Sequence, residues 1–133
     1  MNTESESIAA LFEEWFPLTK AKENPNLVPD KCGSYILRNR AGRFGRLVGE
    51  SDIVYIGSSG SLNERIISNY LKGIGGETTQ RIHFYLVEQG YIDRIDVGFT
   101  LLLTIEESER IEKKLLREYE KDHHELPPWN RRE

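Results

Sequence analysis

Apolar and polar positions along this chain switch between a helical period and a strand period, and the switches mark its elements. Ile8, Leu11, Phe12, Trp15 and Phe16 recur at helical spacing behind Thr3 and Glu6, which stand at the separation of a capping box. The spacing predicts an amphipathic N-terminal helix. Its wide aromatic face must be covered by the rest of the chain, or by a dimer or partner contact. "PLTKAKENPNLVPDK" follows, with prolines at 17, 25 and 29, and reads as an extended connector rather than a helix. "CGSYILRN" and "DIVYIG" are β-like runs. "RAGRFGRLVGES" between them, with glycines at 42, 45 and 49, suits a long hairpin loop, so the two runs form an antiparallel pair.

Ser61 and Glu64 then open a helix whose apolar stripe is Leu62, Ile66, Tyr70 and Leu71. "TTQRIHFYLVEQG" predicts a second helix stopped by Gly90. A strand is the alternative there, because Ile82, Phe84 and Leu86 also alternate. "DRIDVGFTLLL" is a third strand. Thr104 caps a last helix, with Glu107 three residues on, and "LPPWN" ends it. The order is helix, strand, strand, helix, helix, strand, helix. It predicts an α/β fold of the α+β type, a small three-stranded antiparallel sheet flanked by helices. Residues 1–30 read as an N-terminal helix and connector, and residues 31–133 as the domain proper.

At 133 residues and 38% hydrophobic composition, the chain is of single-domain size and can bury one core. No stretch approaches the roughly 18 apolar residues of a membrane span. The acidic N-terminus lacks the basic-then-apolar pattern of a secretory signal, so a cytoplasmic protein without membrane contact is expected. The lone cysteine, Cys32, supplies neither a disulfide nor a zinc set. Charge is unevenly placed. Residues 1–30 hold six acids and two bases, whereas residues 31–72 hold seven bases and three acids. Arg38, Arg40, Arg43 and Arg46 fall in the glycine-containing loop region. They are candidate phosphate contacts, although a solvated loop carries the same pattern.

Glu112 draws attention because it shares the expected buried stripe of Ile105, Ile111, Leu115, Leu116 and Tyr119 on the last helix. An inward carboxylate is costly unless it is paired or bound to a metal. It is either a stripe-edge partner for an arginine or a ligand for a divalent ion such as magnesium, which often takes only one or two protein carboxylates. Arg65 lies near the border of its own stripe, where it is a surface charge, a partner for Glu112 or a phosphate clamp. Tyr35 and Tyr55 fit a sheet as ordinary aromatics. Each also sits beside a glycine, in "GSY" and "YIG", and pairing of the two strands would bring the phenols together.

These residues in this order resemble the GIY-YIG nuclease superfamily. "GSY" at 33–35 and "YIG" at 55–57 flank a hairpin, Arg65 lies on the following helix, Glu112 on the last, and Asn130 in "PPWN" closes the set. The resemblance covers roughly residues 31–132. It implies a DNA endonuclease that hydrolyses phosphodiesters with one divalent ion, magnesium or manganese, held by Glu112. Arg65 would bind the scissile phosphate, Tyr55 would activate or orient the attacking water, Tyr35 would support it or contact the phosphate, and Asn130 would brace the site. The alternative is a GIY-YIG-like module that binds nucleic acid or protein with little catalysis. Two departures stand out. Ser34 replaces the middle isoleucine of the first motif, and Asn69 stands where some members carry a histidine one turn after the arginine. His83, His123 and His124 match no position of the family pattern, and His123 and His124 read as solvated helix-end residues.

Overall fold

A computed structural model describes residue 12 and residues 14–131. The capping pair Thr3 and Glu6 and the apolar positions Ile8 and Leu11 lie outside the described residues. Among the described residues, one antiparallel sheet organises the molecule. Its strands are β1 (Glu14–Pro17), β2 (Gly33–Asn39), β5 (Ile53–Ser59) and β6 (Ile95–Leu101), in the order β1-β6-β2-β5. A two-residue hairpin, β3 (Phe44–Gly45) with β4 (Glu50–Ser51), interrupts the β2–β5 connection. The three strands expected from the sequence are present, and a fourth joins them.

That fourth strand corrects the reading of Trp15 and Phe16 as helical. Both lie in β1, where Trp15 pairs with Gly98 and Phe16 with Val97. Successive strand residues point to opposite faces. Phe16 accordingly meets Phe99 on one face, at 6.0 Å between ring centroids, while Trp15 meets Phe12 and Arg38 on the other. Gly98 makes room for this crossing, since a Cβ there would sit 2.5 Å from the Trp15 ring. The connector is corrected as well. Leu18–Glu23 forms a short helix, α1, between Pro17 and Pro25. Proline breaks a helix from within but is tolerated just before its first turn, and Pro17 takes that position. Leu18, Ala21 and Val28 enter the main core, so residues 14–30 contribute to the same sheet and core as the residues after them.

β2 is central and buried on both faces, which explains its unbroken apolar run. One face carries Tyr35, Leu37, Tyr55, Val97 and Phe99. It is covered by α1, by α2 (Glu64–Leu71) and by α3 (Glu77–His83) with its π-helical continuation, Phe84–Glu88. The other face carries Ile36, Ile53 and Ile56 and receives α4 (Ile105–His123) through Leu115 and Tyr119. Caps fall where the sequence placed them. The Ser61 hydroxyl accepts from the Glu64 N–H at 3.2 Å, and the Thr104 hydroxyl accepts from the Glu107 N–H at 3.0 Å. Gly90 follows the second helical segment with φ 76°, as its stop signal requires. No helix among the described residues is long and apolar enough to cross a membrane.

After α4 the chain turns at His124, whose φ of 60° makes the left-handed cap, and returns along β5. The Trp129 N–H donates to the Val54 carbonyl at 2.9 Å. The Asn130 side chain donates to the Ile56 carbonyl at 2.9 Å and accepts from its N–H at 3.0 Å. β5 would otherwise present unpaired backbone groups at the sheet edge, and the C-terminal segment satisfies them. One helix-end expectation fails: His123 is buried, stacks on Tyr119 at 4.5 Å and hydrogen-bonds the Val48 carbonyl. The α4 face that buries Tyr119 carries the residue four positions later into the same contact. His124 is exposed, as expected.

Candidate active site

Register decides which groups meet. Tyr35 on β2 pairs with Gly57 on β5, one residue past the middle of "YIG". Gly57 shares the sheet face of Tyr55, and a Cβ on it would lie 2.5 Å from the Tyr35 hydroxyl. Glycine here lets one phenol lie over the neighbouring strand beside the other. Gly33 has a comparable reason, since a Cβ there would press to 2.3 Å from the Thr100 carbonyl oxygen. Ser34, the departure in the first motif, faces α4 and donates to the Ser108 carbonyl at 2.7 Å. A small hydroxyl residue lets that helix turn sit close to β2, where isoleucine would hold it away.

Three phenols converge, not two. Tyr35, Tyr55 and Tyr70 form a triangle with ring centroids 6.0, 6.1 and 6.2 Å apart, and the Tyr35 and Tyr70 hydroxyls are hydrogen-bonded at 2.5 Å. Tyr70 reads in the sequence as one more member of an apolar stripe. Its place follows from the local winding of α2, which is π-helical over Glu64–Leu71. In that winding each turn closes on the fifth residue, so Arg65 and Tyr70 share a side of the helix. Asn69, at the α-helical spacing from Arg65, bonds instead to the Ile74 carbonyl at 2.5 Å.

Ser58 joins the two cores of the site. Its carbonyl accepts from Arg65 Nη1 at 3.3 Å, and its hydroxyl donates to Glu112 Oε1. Arg65 therefore approaches from α2 on one side of the sheet and Glu112 from α4 on the other, and they meet around the end of β5. Ser58 is a site residue that motif reasoning missed. The only signal available was a small polar residue directly after "YIG".

Electrostatics are unusual throughout this group. Burial pushes the Tyr35 phenol well above its ordinary value, with Tyr70 and Tyr55 adding to the effect and Arg65 opposing it. Burial does the same to Tyr55, again with Tyr70 adding and Arg65 opposing. Both phenols are therefore neutral hydroxyls at pH 7. Burial works against the Arg65 charge and the facing Tyr35 and Tyr70 oxygens support it, so the guanidinium stays protonated beside neutral phenols. Burial also raises the Glu112 carboxyl, with the Ser58 hydrogen bond and Arg65 opposing and Glu109 adding.

The donor set fits one small hard cation. No group of three or more His, Cys, Asp or Glu side chains gathers among the described residues. Glu112 is a half-buried carboxylate whose charge is already penalised by burial, and a divalent ion would relieve that penalty. Magnesium commonly takes one protein carboxylate and keeps several waters.

The loop arginines lie elsewhere. Ser34 pairs with Ser58, but Arg38 pairs with Ile53, so this group sits toward the opposite end of the β2–β5 pair. Arg38 and Arg40 each reach Asp96 at 3.2 Å, and Arg46 reaches Glu125 at 3.1 Å. Arg43 is exposed. His83 bonds the Tyr70 carbonyl through Nδ1 at 2.8 Å and so backs α2 rather than the phenol cluster.

No protein-family model and no curated protein matches the chain. Solved structures do. The GIY-YIG N-terminal endonuclease domain of UvrC from Thermotoga maritima, bound to magnesium as its catalytic divalent cation, is similar over 84% of this chain and 97% of its own, with 21% identity and a TM-score of 0.53. Two point mutants of that domain, one with alanine for an asparagine and one with phenylalanine for a tyrosine, were also solved with the catalytic cation. Each is similar over 85% of this chain and 97% of its own, with 21% identity and a TM-score of 0.54. The chain thus has the GIY-YIG domain fold.

Proposed function

We propose that this protein is a metal-dependent DNA endonuclease that hydrolyses phosphodiester bonds at the end of β5. The observation that carries the proposal is the meeting of Arg65 and Glu112 on the two functional groups of Ser58, beside the Tyr35, Tyr55 and Tyr70 hydroxyls. The fold supports it, because the similar domain is an endonuclease with a catalytic divalent cation.

Arg65 carries the phosphate. The guanidinium has five N–H donors; the Ser58 carbonyl takes one and the Tyr35 and Tyr70 hydroxyls face others, and those that remain would meet phosphoryl oxygens. Glu112 would hold a magnesium or manganese ion, with water filling the remaining positions. When bound, that ion supplies positive charge to the phosphoryl and leaving oxygens. Tyr55, neutral at pH 7, orients the attacking water through its hydroxyl rather than standing ready as a phenolate. Tyr35 and Tyr70 hold each other's hydroxyls and fix the ring cluster around Arg65. Asn130 fixes Ile56, and with it the residue on either side, by gripping both backbone groups of that residue. Outside the site, the exposed Arg40, which shares the Asp96 carboxylate with Arg38, and the exposed Arg43 would contact DNA phosphates.

The same features give a second reading, a nucleic-acid-binding module with weak catalysis. What favours it is that burial keeps both phenols protonated and that Asn69 offers no imidazole base. One assay separates the two. Plasmid and branched DNA are incubated with the protein in magnesium or manganese, beside Glu112→Ala and Arg65→Ala. The nuclease reading expects nicking by the parent and loss in both variants. Binding without nicking by the parent selects the module, and equal nicking by all three proteins removes the site assignment.

A further inference from the structure

Toward the end of the β2–β5 pair opposite the proposed catalytic centre lies a second concavity that neither the motif nor the proposed chemistry uses. It has a volume of about 430 Å3 and is walled by Phe44, Tyr85, Tyr91 and Trp129, with Asn39 and Gln89 also among its lining residues. Tyr85 and Trp129 form a tilted pair at 5.0 Å, and Tyr91 meets Trp129 edge-on at 6.0 Å. Tyr91 remains 38% exposed although it stands among aromatic neighbours. The position is anchored to the catalytic centre. Trp129 precedes the bracing Asn130 and donates its N–H to Val54, the residue before Tyr55. Val54 itself lines the concavity.

Arginines stand around the aromatic walls. The Arg94 guanidinium lies 5.2 Å over the Tyr91 ring. Arg40 follows, with its backbone N–H on the Arg94 carbonyl and its side chain on the Asp93 carbonyl and on Asp96, a carboxylate it shares with Arg38. Arg81 closes the other side by donating to the Trp129 carbonyl at 2.7 Å. Rings on which bases stack and arginines for the backbone are the two components of a sequence-tolerant single-strand nucleic-acid site.

We propose that this aromatic cleft binds an unpaired nucleobase of a DNA strand, with the arginines at its mouth holding the adjoining phosphates. The proposal extends the nuclease reading by giving that site a preference for DNA with single-stranded character, but binding at the cleft does not require catalysis. An extended proline-rich peptide also suits aromatic walls, yet it brings no phosphates to meet Arg40 and Arg94.

The test uses the full chain with Trp15→Phe, which leaves Trp129 as the sole tryptophan of the two. EDTA prevents cleavage. The probes are oligothymidylate of about eight nucleotides, an abasic oligomer of equal length, and a proline-rich peptide. Trp129 fluorescence and binding anisotropy are measured, with circular dichroism as the check on folding. Oligothymidylate is expected to quench Trp129 and to bind at least about 5-fold more tightly than the abasic oligomer. Tyr91→Ala should remove that difference, and Tyr91→Phe, which keeps the ring, should retain it. Equal affinity for the two oligomers, absence of quenching, or quenching by the peptide alone overturns the cleft assignment. Failure of the nuclease reading looks different: base-dependent binding persists, but no DNA is nicked when metal is supplied. Nicking without base-dependent binding leaves the nuclease and removes the cleft.

Discussion

Two arginine sites sit at opposite ends of the β2–β5 pair, and they use the same side chain for opposite purposes. At one end Arg38 and Arg40 share the buried Asp96, which offsets part of their charge within the fold. Arg38 also stacks on Trp15 at 4.2 Å, so that end serves to fasten β1 and β6 onto β2. At the other end Arg65 is held by neutral groups: the Ser58 carbonyl and the Tyr35 and Tyr70 phenols. No carboxylate lies within ion-pair distance of Arg65 among the described residues, and its positive charge remains available to an anion. Four clustered arginines are the more conspicuous feature of the sequence, but the single arginine among tyrosines has the better geometry for a phosphate. A carbonyl and phenols position a guanidinium without offsetting its charge; a buried aspartate does offset it.

The largest expected effect separates activity from stability at one residue. Burial raises the Glu112 carboxyl, so its folded-state value lies above its unfolded one. The native protein then binds more protons than the unfolded chain between those two values. Stability increases as pH falls through that window, and the ionised carboxylate weakens the fold at pH 7. Glu112→Gln should therefore raise the melting temperature at pH 7, with a smaller gain near pH 4, while nicking falls by about 10^3-fold or more. Magnesium should stabilise the parent and leave the variant unchanged. Differential scanning fluorimetry with and without magnesium, beside the nicking assay, reads all three.

Next in size, Tyr70→Phe removes the hydroxyl bonded to Tyr35 and one of the groups positioning Arg65. Nicking should fall by about 10- to 100-fold at saturating DNA, with DNA affinity changing less. Asn130→Ala frees both backbone groups of Ile56. Denaturant unfolding should show a loss of about 1–3 kcal/mol, and nicking a fall of about 10-fold or less. The smallest effect on activity belongs to the far cluster. Asp96→Ala strips two arginines of their partner and should cost about 1–3 kcal/mol of stability, since Asp96 is buried while Arg40 is largely exposed. Nicking per folded molecule should stay within about 3-fold of the parent, a free-energy change below about 1 kcal/mol.

Much of this molecule is legible in its sequence because local signals and tertiary demands agree. β2, β5 and β6 are runs bounded by turn residues, and the caps at Ser61 and Thr104 act within four residues of themselves. Tyr35, Tyr55, Arg65 and Glu112 were placed by motif, and the register brings them to one strand end. What stayed hidden depends on longer-range causes. Trp15 and Phe16 suit a helix by spacing, yet the open edge of β6 offers backbone pairing that spacing cannot reveal. Tyr70 was hidden because its placement needs a π-helical turn, which shifts the facing residue from the fourth position to the fifth. Ser58 matters through its carbonyl as much as its hydroxyl, and a backbone group carries no sequence signal. His123 was read as solvated because a helix-end histidine normally is; the Val48 carbonyl that captures it arrives from a loop 75 residues away.

The most direct test of the contrast between the two arginine sites is a paired measurement of magnesium-dependent plasmid nicking by Arg65→Ala and Arg38→Ala, each corrected for the fraction folded. The account predicts a fall of about 100-fold or more for Arg65→Ala and about 3-fold or less for Arg38→Ala. Equal losses in the two variants, or the larger loss in Arg38→Ala, would contradict it.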